Sequence, residues 1–218
     1  MKTEIQMHKD VLAELAWDPR VDEKEIGVAA RDGVVTLTGS VSNYSEKLAA
    51  ERAVERVMGV KAVANDLIVT VPSASSPSDT DLAHSVVSCL GWDIEVPDQK
   101  IKASVSNGWV TLEGEVDWQY QRTAASRAVQ NLTGVRGVSN HIRVTAKSVS
   151  STEVSSSIKQ ALERRADRTA DRIIVNTDDG VVTLTGSVSS YGDRRAAEGA
   201  AWSAPGVTEV RDQLAVVF

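Results

Sequence analysis

One cysteine, Cys89, in 218 residues excludes an internal disulfide and agrees with a reducing compartment. No apolar run approaches the roughly 18 residues that a membrane-spanning helix needs. The amino-terminal stretch MKTEIQMHKDVLAEL is charged and amphipathic, without the apolar core and small-residue cleavage site of a secretory signal. The chain is therefore expected in the cytoplasm, and in the periplasm only if a leader has been removed. Positive charge is also short: 24 Lys and Arg face 30 Asp and Glu, and the net charge of -6 argues against nonspecific attraction of the whole surface to nucleic acid or anionic lipid.

What the chain does have is repetition. DGVVTLTGSV fills Asp32 to Val41 and returns unaltered at Asp179 to Val188, with NGWVTLEGEV at Asn107 to Val116 between them. Gly39, Gly114 and Gly186 stand 75 and then 72 residues apart, and Gly59, Gly134 and Gly206 keep those offsets. Units of about 70 residues are large enough to be small domains, and 42% hydrophobic residues supply their cores. VPSASSPSD, with two prolines and four serines, reads as a linker, and AKSVSST as a shorter one. The expected organisation is three tandem domains, 1–70, 80–145 and 153–218, with linkers at 71–79 and 146–152.

Hydrophobic period sets the elements of each copy. Met7, Val11 and Leu15 match Leu82, Val86 and Leu90, then Val154, Ile158 and Leu162, the stripe of an amphipathic first helix. A first strand follows, then an Asp-Gly or Asn-Gly pair (Gly33, Gly108 and Gly180) for a tight hairpin, then the alternating second strand. An Ala-rich helix ends at Gly59, Gly134 or Gly206 and leads to a third strand. Each copy reads αββαβ: an α+β fold with a small three-stranded mixed sheet, a parallel crossover and two helices on one face. Gly39, Gly114 and Gly186 share the parity of the inward residues, so they are expected to face the Ala-rich helix and let it lie close.

The pattern Asp/Asn-Gly-x-Val-Thr-Leu-x-Gly-x-Val, an Ala-rich helix, then Gly-Val-x-x-Val-x-Asn/Asp-x-Leu/Ile-x-Val resembles the BON domain. It rests on residues such as Gly33, Gly39, Gly59, Val60, Asn65 and Val69 with their counterparts, including Asn140 and Asp212, and covers about nine tenths of the chain. The resemblance implies a noncatalytic module tied to envelope or osmotic stress and to phospholipid.

A catalytic site within the repeated unit would recur three times, and no histidine or cysteine does. His8 aligns with Ala83 and Ser155, His84 with Lys9 and Ser156, His141 with Asp66 and Gln213, and Cys89 with Glu14 and Ala161. No enzyme, metal or cofactor is expected. GVRG at Gly134 to Gly137 imitates a nucleic-acid loop, but it precedes a strand and its counterparts are GVKA and GVTE, so RNA binding is not expected. The candidate contacts are Trp109, Trp118 and Tyr120 in the second copy and Arg164, Arg165 and Arg168 in the third. The arginines are interleaved with Asp167 and Asp171. The aromatics suit either docking of neighbouring domains or an external site. Trp17 and Trp92, equivalent by the repeat, are expected to cover the core edge. The functional expectation is an interaction module of a stress-associated protein that binds a protein or other macromolecule, with peripheral phospholipid binding as the alternative and an enzyme with an interdomain site a distant third.

Overall fold

In the computed structural model, Asp32 and Gly33 have φ of +51° and +86°, and the Asn107–Gly108 and Asp179–Gly180 pairs repeat that left-handed pair, the twist that lets two strands turn back in two residues. The structure describes residues 3–71, 77–145, 151–164 and 173–217. Most of both expected linkers, 72–76 and 146–150, lies outside the described residues. The chain divides into two compact units, Met1–Glu113 with Ala124–His141, and Gly114–Thr123 with Ile142–Phe218.

The first copy runs α1 (Glu4–Trp17), β1 (Ile26–Arg31), β2 (Val34–Val41), α2 (Tyr44–Arg56), β3 (Ala62–Asn65) and β4 (Ile68–Val69). The second runs α3 (Asp79–Trp92), β5 (Ile101–Ser106), β6 (Trp109–Val116), α4 (Gln119–Gln130) and β7 (Gly137–Val144). The third runs α5 (Ser151–Arg164), β8 (Ile173–Asp178), β9 (Val181–Val188), α6 (Tyr191–Trp202) and β10 (Glu209–Val216). The hairpin partner is always central: β2, β6 and β9 sit between their neighbours. β1 is antiparallel to β2, with Ile26 opposite Gly39, and β8 is antiparallel to β9. β3 and β10 join their central strands in parallel. The expected single third strand is broken in the first copy, where pairing stops at Leu37–Asn65 and resumes at Ser40–Ile68 without a change of register.

The helix stripe is the buried face: Met7, Val11, Leu15, Leu82, Val86, Leu90, Val154 and Ile158 are all buried. Side chains cap the helix starts. Thr3, Asn43, Ser78 and Ser190 each accept the N–H three residues on, at 2.9 to 3.2 Å. In the first copy Val35, Leu37, Ala49, Ala50, Ala53, Val54 and Leu67 close a core beneath α1 and α2. The third copy repeats it with Val182, Leu184, Ala197, Ala200, Ala201 and Leu214.

Gly39 departs from its expected role. It is exposed rather than turned to the Ala-rich helix, its φ is +114°, and a Cβ there would collide with the Glu25 carbonyl oxygen at the entry to β1. The positive φ rotates the residue out of the strand's alternation, so parity along β2 fails at that one position. What comes close is the backbone of the neighbouring strand.

Candidate functional site

Among the polar positions that recur in the repeats, Glu46, Gln121 and Asp193 and then Lys47, Arg122 and Arg194 escape sequence reasoning confined to histidine and cysteine, while Asn65, Asn140 and Asp212 enter it only as positions of the family pattern. Where their bonds are described they serve the fold. Buried Glu46 accepts the Asp22 and Ser42 N–H groups, each at 2.9 Å, and the Ser42 hydroxyl at 2.7 Å. Gln121 Oε1 accepts the Asp117 and Trp118 N–H groups at 3.1 Å, and Asp193 closes a box with Ser190. Lys47 Nζ donates to the Leu67 carbonyl at 2.7 Å. Asn65 Nδ2 donates to Lys47 O at 3.2 Å and to Glu51 Oε2 at 2.9 Å, which ties α2 to the third strand. In the third copy Arg194 pairs with Asp212, whose other oxygen accepts the Leu214 N–H at 2.9 Å. The guanidinium lies 5.9 Å from the Tyr191 ring centre.

The first copy adds an ion cluster of its own. Asp18 is 5% exposed, Arg20 grips both its oxygens at 2.8 and 2.6 Å, and Arg56 reaches it at 3.3 Å while pairing with Glu14 at 2.7 Å. The hydrogen bonds from Arg20, opposed by burial and aided by Arg56, hold the Asp18 carboxyl well below the usual carboxylate range. The cluster locks the end of α1 to the end of α2. Cys89 donates to the Ala128 carbonyl at 3.2 Å, and burial, with the nearby Asp93 charge, pushes its thiol up, away from the reactive thiolate. Among the described residues no group of three or more His, Cys, Asp or Glu is placed to hold a metal ion.

The three aromatic contact residues expected from the sequence each have a definite place. Trp109 lies on the open face of its sheet, half exposed, and its indole N–H donates to Ser139 Oγ at 2.8 Å. The ring fills the space where a side chain on Gly137 would stand, so a glycine in β7 makes room for the aromatic. Trp118 and Tyr120 flank the start of α4 and are 42% and 55% exposed. Trp118 occupies the helix-cap position held by Asn43 and Ser190 in the other copies. Arg165 and Arg168 lie outside the described residues, and Arg164 ends α5 without a described side chain. Trp17 and Trp92 do not cover the core edge: they are 82% and 89% exposed, because each follows the last inward residue, Leu15 or Leu90, by two places and so points away from the stripe. Beside Trp17 an open depression of about 460 Å³ is lined by Ala13, Val57 and Met58, with Asp10 and Glu14 at its side.

First and second copies also touch. Ser45 Oγ lies 3.2 Å from the Gln130 carbonyl and 2.6 Å from Asn131 Oδ1, and a backbone hydrogen bond joins the Tyr44 hydroxyl to Val138. The amino end of α2 thus seats on the carboxyl end of α4. No helix among the described residues is long and apolar enough to cross a membrane.

Comparison with known proteins supplies the context. The model of the BON domain matches residues 6–71, 78–146 and 150–217. The osmotically-inducible protein Y of Escherichia coli (strain K12) is 28% identical over 137 residues, 61% of this chain and 68% of that protein. Two solved structures of CdsD, a structural protein of the type III secretion system of Chlamydia trachomatis, are 14% identical to it. Their TM-scores are 0.27, over 97% of this chain and 92% of that one, and 0.28, over all of both, too low to carry an argument.

Proposed function

The chain belongs to the BON domain family, present in three tandem copies, and on that premise we propose that it is a noncatalytic interaction module of a stress-associated protein, which binds a protein partner through exposed aromatic side chains. The observation that carries this reading is how the two kinds of residue are used. Where their bonds are described, the recurring polar residues Glu46, Lys47, Asn65 and Asp212 cap helices and staple strands, so these are committed to the fold. Aromatics that are not common to all three copies stand in solvent: Trp92, with Trp17 in the first copy but Arg164 in the third, at 89% exposure and Tyr120 at 55%. Large apolar area with a polar edge is what recognition surfaces use. The association with stress draws on the likeness to the osmotically-inducible protein.

Two measurements on the full chain test the proposal. Affinity capture from the native host, grown with and without osmotic stress, should retain a protein reproducibly. Flotation with phosphatidylcholine vesicles, with and without phosphatidylglycerol, should leave the chain unbound. Flotation without capture reverses the assignment in favour of phospholipid. A cytoplasmic location belongs to the same proposal, and fractionation of the host tests it.

A further inference from the structure

Two of the most exposed large apolar side chains among the described residues share one turn. Trp92 closes α3 and Ile94 follows it, 89% and 101% exposed, before Val96 returns to the core at 7%. The turn is built: Asp93 leaves the helical region with φ -84° and ψ 111°, its Oδ1 accepts the Glu95 N–H at 2.9 Å, and its carbonyl accepts the Val96 N–H at 3.0 Å. The indole and the isoleucine are therefore held outward by an ordered backbone, and little among the described residues covers them. The tip is peculiar to the second copy. In the first, Trp17 is also exposed, but Pro19 stands where Ile94 does, and in the third the equivalent of Trp92 is Arg164.

Charge decides what fits this tip. Asp93 and Glu95 bracket Ile94, and the Asp98 carboxylate lies beside Gly91, with Oδ2 3.5 Å from where a Cβ would stand. Against these three acids Arg127 pairs with Glu95 at 2.9 Å, both of them about half exposed. An anionic bilayer repels such a rim, whereas a cleft edged by Lys and Arg complements it. We infer that the Trp92–Ile94 tip inserts into an apolar cleft with a basic rim on a protein partner, an inference that rests on the proposed interaction function and gives it a place and a partner chemistry.

The test compares the full-length protein with the W92S/I94S and D93N/D98N double variants. The amide introduced by Asp93→Asn keeps an oxygen for the Glu95 N–H, so the turn survives. The probes are labelled amphipathic helical peptides with Leu on one face and Lys, Gln or Glu on the other, read by fluorescence anisotropy. The Leu–Lys peptide should bind the wild type, bind W92S/I94S about tenfold more weakly, and bind D93N/D98N less well than wild type, with that last difference shrinking as salt rises. The Leu–Glu peptide should not bind. Equal binding of the three peptides, undiminished binding by W92S/I94S, or Trp92-dependent flotation with phosphatidylglycerol vesicles would overturn the inference. If the wild type captures a host protein and W92S/I94S captures it equally, the tip is refuted while the interaction function stands. If the wild type captures none, both fall.

Discussion

Gly39→Ala should damage the first copy out of proportion to one added methyl group. At φ +114° an L-residue is strained, at a cost of roughly 1 to 3 kcal/mol. The new Cβ also meets the Glu25 carbonyl, a backbone atom that can retreat only by pulling Ile26 from its place opposite Gly39, about another 1 to 3 kcal/mol by the scale of overpacked cores. The expected loss is about 2 to 6 kcal/mol, against the roughly 4 to 10 kcal/mol that holds a unit of some 70 residues together. Gly199→Ala in α6 is the matched control: nothing lies within 4 Å of its added Cβ, and helix propensity predicts a gain of up to about 1 kcal/mol. Because the copies can unfold separately, urea titration of the full chain should be read by hydrogen exchange resolved to peptides of β1 and β2. A Gly39→Ala change within about 0.5 kcal/mol of wild type would refute the backbone account. So would a double variant Gly39→Ala, Ala50→Gly more stable than Gly39→Ala alone, since that rescue would put the added methyl against the Ala-rich helix.

The first copy closes its own core, so residues 1–72 alone should give a folded circular dichroism spectrum and dispersed proton NMR signals, and a random-coil spectrum would reject modularity. Asp18→Asn should lower the melting temperature at neutral pH. Because the folded-state carboxyl titrates below its unfolded value, the lost stability is fully present above about pH 4 and fades as pH falls further, so the gap between variant and wild type should narrow in acid; thermal melts between pH 7 and 2 would show it, and a constant gap would not fit. Gly137→Ala should lift the Trp109 indole off β7, seen as an emission red shift that is absent when Trp109 is already Phe.

Much of the fold is legible in the sequence because the repeat supplies three independent readings of each position. The stripe from Met7 to Leu15, the Asp-Gly turns and the parallel third strand all follow from periods and turn chemistry that do not depend on what lies far away. Gly39 escapes such reading because parity assumes an unbroken strand, and a positive φ leaves no mark in the pattern of its neighbours. Trp17 misleads because a tryptophan at a helix end suggests burial, although its offset of two from Leu15 already aims it outward. The polar set at Glu46, Lys47 and Asn65 carries a visible signal in its recurrence, but only coordinates reveal that most of its partners are backbone groups. The surface that would meet a partner is the least legible, since exposure is a property of the folded chain.

The seating of Ser45 on the end of α4 bears on how the molecule moves. A Ser- and Pro-rich tether alone would let the first copy reorient freely, with the rotational correlation time of a domain of its own size. Joined through Ser45 and Tyr44, the first copy and the body of the second reorient together, so their amides should share one relaxation rate, slower than that of residues 1–72 alone.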